Sequence, residues 1–198
     1  MEPMRVSGVV LAAGPSRRFG TNPPKQLALI EGEPMVRRVV RVAIESRLSE
    51  VIVVVGMAAA RVEAAIENLE ARVVRNLHYE EGQSTSVKAG LAAVGAEAEA
   101  ALFVPTDQPR LSTSVINALL YCHQQTGAEI VVPTYEGKRG APVLFGRSLF
   151  GDLATIDGDA GGRQIFPLHE GKLVELPLAS GEPLRDLDST EDLLRLDD

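Results

Sequence analysis

The stretch VVLAAGPSRRFGTNPPKQL, Val9 to Leu27, passes from an apolar strand into a loop with two arginines, one lysine, two glycines and three prolines, and no acidic residue. The chain as a whole carries a formal charge of −7, so this gathering of cations runs against its composition. Like charges held together repel, and such a loop is favourable when something negative sits in it. Where a strand feeds a loop of this kind in an open parallel sheet, the ligand lies beyond the strand's carboxyl end.

Working outward, short apolar runs alternate with segments of helical period, the pattern of an α/β domain with a mostly parallel sheet. RVSGVVLAA reads as the first strand, and EVIVVVG and AALFVP as strands covered on both faces. After Pro34, a residue suited to a first helical turn, Met35, Val36, Val39, Val40, Ala43, Ile44 and Leu48 share one helical face. AAARVEAAIENLE reads as a helix, ARVVRN as a strand, and STSVKAGLAAVG as a helix with Ser84 or Thr85 as N-cap. LSTSVINALLYCHQQTG is a helix stopped by Gly127, and AEIVVPTY a strand. The turn EGKRG leads into APVLF, the second arm of a hairpin that forms a lid or a small substrate subregion. A helix near Gly162 to His169, a strand KLVELP and a terminal helix STEDLLRL complete the reading. Residues 1–198 form one domain, and no repeat or linker divides them.

Composition narrows the functions. At pI 5.1, with few aromatics and no basic stripe, the chain is not built for nucleic acid. No apolar run reaches membrane-spanning length and no secretion signal opens the chain, so a cytoplasmic location is expected. Cys122 is alone, in a helical pattern, and reads as a core residue. His78, His123 and His169 lack metal-ligand spacing, and the G-x-S-x-G elbow of serine hydrolases is absent.

Four loops carry chemistry. In AAGPSRRFGTNPPK, Ala12, Ala13 and Gly14 let backbone amides approach a ligand, while Arg17, Arg18 and Lys25 can neutralise a polyphosphate. Neither a Walker loop nor G-x-G-x-x-G is present, which disfavours a P-loop kinase or an NAD enzyme. In NLHYEEGQSTSVKAG, Gly82 to Ser86 precede a helix and serve either as caps or as a site for a base edge or anion. In LFVPTDQPR, Asp107 lies just past a strand, where a carboxylate holds Mg²⁺ or caps a turn. Lys138 and Arg139, together with Gly158, Asp159, Gly161, Gly162 and Arg163, form either exposed turns or a second anion site.

LAAGPSRRFGTNPPKQL, EEGQSTSVKAGL, FVPTDQP, KRGAPVLF, GDAGGR and LRDLDSTEDL, in this order over almost the whole chain, resemble the MobA-like nucleotidyltransferases. Within that family the sequence is most similar to the molybdenum cofactor cytidylyltransferases. The resemblance implies a Rossmann-like three-layer α/β/α fold, CTP as nucleotide, Mg²⁺ as cofactor and CMP transfer to molybdopterin-type cofactor, with release of pyrophosphate. By the same resemblance Leu11, Ala12, Ala13 and Gly14 contact the nucleotide, Arg18 and Lys25 bind its phosphates, and Gly82 and Ser86 help read the base. It also implies that Asp107 and Asp188 bind the metal, Asp186 being the substitute for the latter, and that Arg139 and Arg163 face the acceptor. A transient contact with a molybdenum hydroxylase or its chaperone goes with that reading. The spacing of RRFGTNPPKQ is also similar to the cytidylyltransferases that act on methylerythritol phosphate. The same loops would serve guanylyl transfer to molybdenum cofactor, or a non-catalytic carrier of that cofactor. Phe19 stands where methionine is usual in the family, and Ala141 where this branch commonly has histidine.

Overall fold

The computed structural model describes residues 4–14, 24–187, 189, 191 and 192. Along the chain run β1 (Val6–Ala12), β2 (Leu29–Ile30), β3 (Glu33–Pro34), α1 (Met35–Ile44), β4 (Glu50–Val55), α2 (Ala59–Ala65) and β5 (Arg72–Arg75). Then follow α3 (Gln83–Ala93), β6 (Ala100–Pro105), α4 (Thr113–Thr126), β7 (Ile130–Tyr135), β8 (Lys138–Arg139), β9 (Val143–Gly146), α5 (Phe150–Leu153) and β10 (Leu173–Pro177).

The main sheet has the order β10-β7-β9-β6-β1-β4-β5, with β8 paired to β7. The pairs β1–β4, β1–β6, β4–β5 and β7–β10 are parallel. β9 is antiparallel to both β6 and β7. Val10, Val53 and Leu102 face one side, against Val36, Val39, Val40 of α1 and Ile116, Leu119 of α4. Val9, Ile52, Val54 and Phe103 face the other, against Val87 of α3 and Leu153 of α5. Helices thus cover both faces, which is why β1, β4 and β6 are nearly continuous apolar runs. The result is a Rossmann-like three-layer fold with a largely parallel, mixed sheet.

Gly90 sets the distance between α3 and the sheet: a Cβ there would lie 2.3 Å from Cγ1 of Val9. α3 is thereby drawn onto β1, and its first turn is brought towards the carboxyl edge of the sheet.

Several local expectations are corrected. β9 is the expected hairpin arm, antiparallel to β7, but it forms no lid or small subregion: all four of its residues are buried, and it inserts between β6 and β7 in the main sheet. Its apolar side chains on both faces gain more from a central position than from an exposed lid. Gly82, not Ser84 or Thr85, occupies the N-cap of α3. Thr85 Oγ1 instead lies 2.9 Å from the carbonyls of both His78 and Gly82, which share its one proton. The helix expected near Gly162 to His169 is a 3₁₀ helix, Gly161–Leu168, with His169 as its C-cap. The helix expected over STEDLLRL falls mostly outside the described residues. Among the described residues, no helix is long and apolar enough to cross a membrane.

Candidate active site

β1 and β6 are adjacent and parallel, so the loops that follow them emerge side by side. Thr106 Oγ1 donates to the carbonyl of Leu11 at 3.1 Å, stitching the two strand ends together. A 3₁₀ turn at Lys25–Leu27 returns the chain to this edge, where buried Gln26 donates through Nε2 to the Gly14 carbonyl at 2.7 Å. That anchor places Lys25 against the β6 end, with its Nζ 3.0 Å from Asp107 Oδ2. The ammonium is the more enclosed partner, at 13% side-chain exposure against 31% for the carboxylate. Two residues 82 positions apart in sequence meet because the sheet puts their loops together.

Asp107 opens onto a cavity of about 470 Å³. Its floor is apolar, with Leu11, Val87, Phe103, Val143 and Phe145, its rim carries Asp107, Asp159, Arg163 and Asp186, and buried Gln108 lies in its wall. Such a division, an apolar body with a few placed polar groups, is characteristic of small-molecule sites. The glycine-rich turn supplies one wall and is packed directly on the start of α3. Ser84 N donates to Gly158 O at 3.0 Å, and a Cβ on Gly82 (φ +117°) would lie 2.7 Å from the Gly158 carbonyl. No side chain larger than glycine's fits there, so the second and fourth sequence loops form one structure.

The expected site residues divide accordingly. Leu11, Lys25, Asp107 and Arg163 meet at or beside the cavity. Ala12 and Ala13 are buried at the end of β1, and Gly14 is exposed just beyond it. Gly82 shapes the wall. Ser86 is buried below it, with its hydroxyl accepting from Asn76 Nδ2 at 3.0 Å, and does not reach the cavity wall. Arg139 is also not brought to the cavity. Its guanidinium donates to Glu175 Oε1 at 2.7 Å and Glu170 Oε1 at 2.8 Å, and lies 5.8 Å from the centroid of the Phe166 ring. The hydrogen bonds to Glu170 and then Glu175 hold it above the ordinary arginine pKa. Arg18 and Asp188 lie outside the described residues. Leu187, next to Asp188 in sequence, donates its amide to the Asp107 carbonyl at 2.8 Å.

Gln108 is a wall residue that sequence reasoning missed, while Gln83 and Asp159 were marked only as members of their loops. The signal for Gln108 was its place directly after Asp107.

Among the described residues no three of His, Cys, Asp and Glu converge as a ready-made metal cage. Mg²⁺ does not need one, since it binds through one or two carboxylates together with substrate phosphates and water. Asp107 and Asp186 both line the cavity and offer it hard oxygen atoms.

A cation–carboxylate pair at the carboxyl edge of a largely parallel sheet, opening on a cavity, stands where α/β proteins bind their small-molecule ligands. Residues 8–173 match the MobA-like NTP transferase domain. The nicotine blue oxidoreductase of Paenarthrobacter nicotinovorans is 33% identical over 96% of each chain. The crystal structure of an Rv0371c homologue from Mycobacterium sp. strain JC1 superposes with a TM-score of 0.82 at 31% identity, covering 97% of this chain and 94% of that one. Rv0371c of Mycobacterium tuberculosis H37Rv in complex with manganese gives 0.77 at 27% identity, covering 98% of this chain and 97% of that one. The chain belongs to the MobA-like NTP transferase family, and is a nucleotidyltransferase of that superfamily.

Proposed function

We propose that this enzyme transfers CMP from CTP to the terminal phosphate of molybdenum cofactor, within the broader reaction of moving a nucleotidyl group from an NTP to a small acceptor. The observation that carries the reading is the Lys25–Asp107 pair at 3.0 Å, set at the mouth of a cavity whose glycine-rich wall bears Arg163. The choice of cytosine and of this acceptor rests on the six sequence stretches quoted above.

An acceptor phosphate oxygen attacks the α-phosphorus, the bond to the β-phosphate bridging oxygen breaks, and pyrophosphate leaves with the electron pair. Both reactants are anions, so the protein's task is to hold them in line and offset their charge. Lys25 exchanges its carboxylate partner for a phosphate oxygen, and Arg18 covers the remaining β and γ oxygens. Arg163, on the glycine-rich wall, orients the acceptor phosphate. Asp107, with Asp186 or Asp188, would hold Mg²⁺, which when bound polarises the α-phosphoryl group and neutralises developing charge. The manganese complex of the mycobacterial relative supports a divalent ion in this fold. The apolar floor takes the flat body of the base or of the acceptor.

The test offers the purified protein Mg²⁺ with CTP, GTP, ATP or UTP in turn, plus isolated molybdenum cofactor or methylerythritol phosphate, and follows pyrophosphate. Release that requires CTP and molybdenum cofactor supports the proposal. A requirement for GTP, or for methylerythritol phosphate, replaces the base or the acceptor while keeping the reaction class. Binding of molybdenum cofactor with no pyrophosphate from any triphosphate marks a carrier. Because one relative bears an oxidoreductase name, NADH and NADPH are included, and consumption of either in place of a triphosphate overturns the reading.

A further inference from the structure

Residues 181–187 form a strap from the end of β7 to the end of β6. Gly181 lies flat on the Tyr135 ring, where a Cβ would be 2.7 Å from Cδ1, and Leu184 packs on Gly140 in the same way. Glu182 pairs with Arg110. At the far end the strap meets Gln108, which is 2% exposed. Gln108 Nε2 donates to the Leu184 carbonyl at 3.2 Å and to Asp186 Oδ1 at 2.9 Å. A carbonyl and a carboxylate accept only, so the carboxamide has one workable orientation. That orientation leaves Gln108 Oε1 buried with no partner among the described residues.

An orphaned buried acceptor is unfavourable, and a methionine of similar volume would fill the same space without it. Packing therefore does not explain a glutamine here; its two N–H donors do. We infer that Gln108 is a positioning residue, whose carboxamide locks the strap to the end of β6 and holds the Asp186 carboxylate on the cavity rim beside Asp107. The inference rests on the nucleotidyl-transfer reading of this cavity. The lock sits one residue from Asp107, and Leu187 N bonded to Asp107 O closes the same ring of contacts. Strap order and site order are thus one event.

The test uses the full chain with Q108M, which keeps volume and loses both donors, and Q108E, which keeps shape and sets a carboxylate against Asp186. Hydrogen–deuterium exchange of the 181–187 segment is measured together with binding of Mn²⁺ alone by electron paramagnetic resonance. In each variant that folds, strap amides are expected to exchange at least about tenfold faster while β1, β4 and β6 keep wild-type protection. The Mn²⁺ dissociation constant is expected to rise at least about fivefold. Unchanged strap exchange in both variants overturns the lock, and faster exchange with wild-type Mn²⁺ binding overturns the positioning role. Failure of the transfer reading is separate: wild-type protein would then release no pyrophosphate, while the strap exchange would still report on Gln108.

Discussion

Two cation–carboxylate clusters of similar composition lie on this molecule, and they do different work. At the β1/β6 edge, enclosed Lys25 meets Asp107 over a cavity. On the β8 side, Arg139 is held between Glu170 and Glu175, carboxylates on the surface with ready access to water. The second cluster is saturated, with two carboxylates for one guanidinium, and water screens what remains. The first faces a concave, partly apolar space, where an incoming anion meets charges that water screens less. Residue type does not separate these clusters; enclosure and the free space in front of them do.

The comparison breaks first at Asp107. D107N is expected to cut the rate of pyrophosphate release by roughly a hundredfold or more, while far-UV circular dichroism stays that of the wild type. A D107N enzyme at full speed would remove the β1/β6 edge from the chemistry.

The two arginines sharpen it next. R163M is expected to raise the KM for the acceptor roughly ten- to a hundredfold, the range of one charge-assisted hydrogen bond. R139A should leave KM and kcat near wild type and alter thermal stability only slightly. Initial-rate kinetics on the pair decide it, and a larger KM effect from R139A would exchange their assignments.

The smallest effect concerns Glu33, whose pKa is lowered chiefly by its hydrogen bond from Arg41. A carboxyl depressed in the folded state adds stability above its unfolded pKa, and that stability is lost as pH falls through the depressed native value. E33Q should therefore cost under about 1 kcal/mol at neutral pH, with the difference from wild type closing under acid conditions. Urea denaturation at several pH values checks this, and a gap that widens on acidification would contradict it.

Much of the scaffold was legible because its signals are local. Continuous valine-rich runs gave β1, β4 and β6, the 3.6-residue spacing gave the buried face of α1, and Gly127 stops α4 at φ +65° as its left-handed position requires. The pairing of β9 with β7 was legible but its place in the main sheet was not, since a short apolar run after a turn specifies a hairpin and not whether β6 will take its other edge. In the site, Asp107 and Lys25 were marked by residue type and by position after strands. Gln108 carries no such mark, being an ordinary polar residue until the cavity and the strap form around it. Arg139 and Arg163 looked alike in sequence because nothing local records that Glu170 and Glu175 will fold onto one and not the other.

The linear order of residues determined by itself the alternation of strands and helices and the charge of the loops, because period and composition act over a few neighbours. Only the tertiary structure decided which charges face one another and which face an open cavity. Those outcomes depend on contacts between residues as far apart as Lys25 and Asp107, whose energy exists only once the sheet has brought them within a few ångströms.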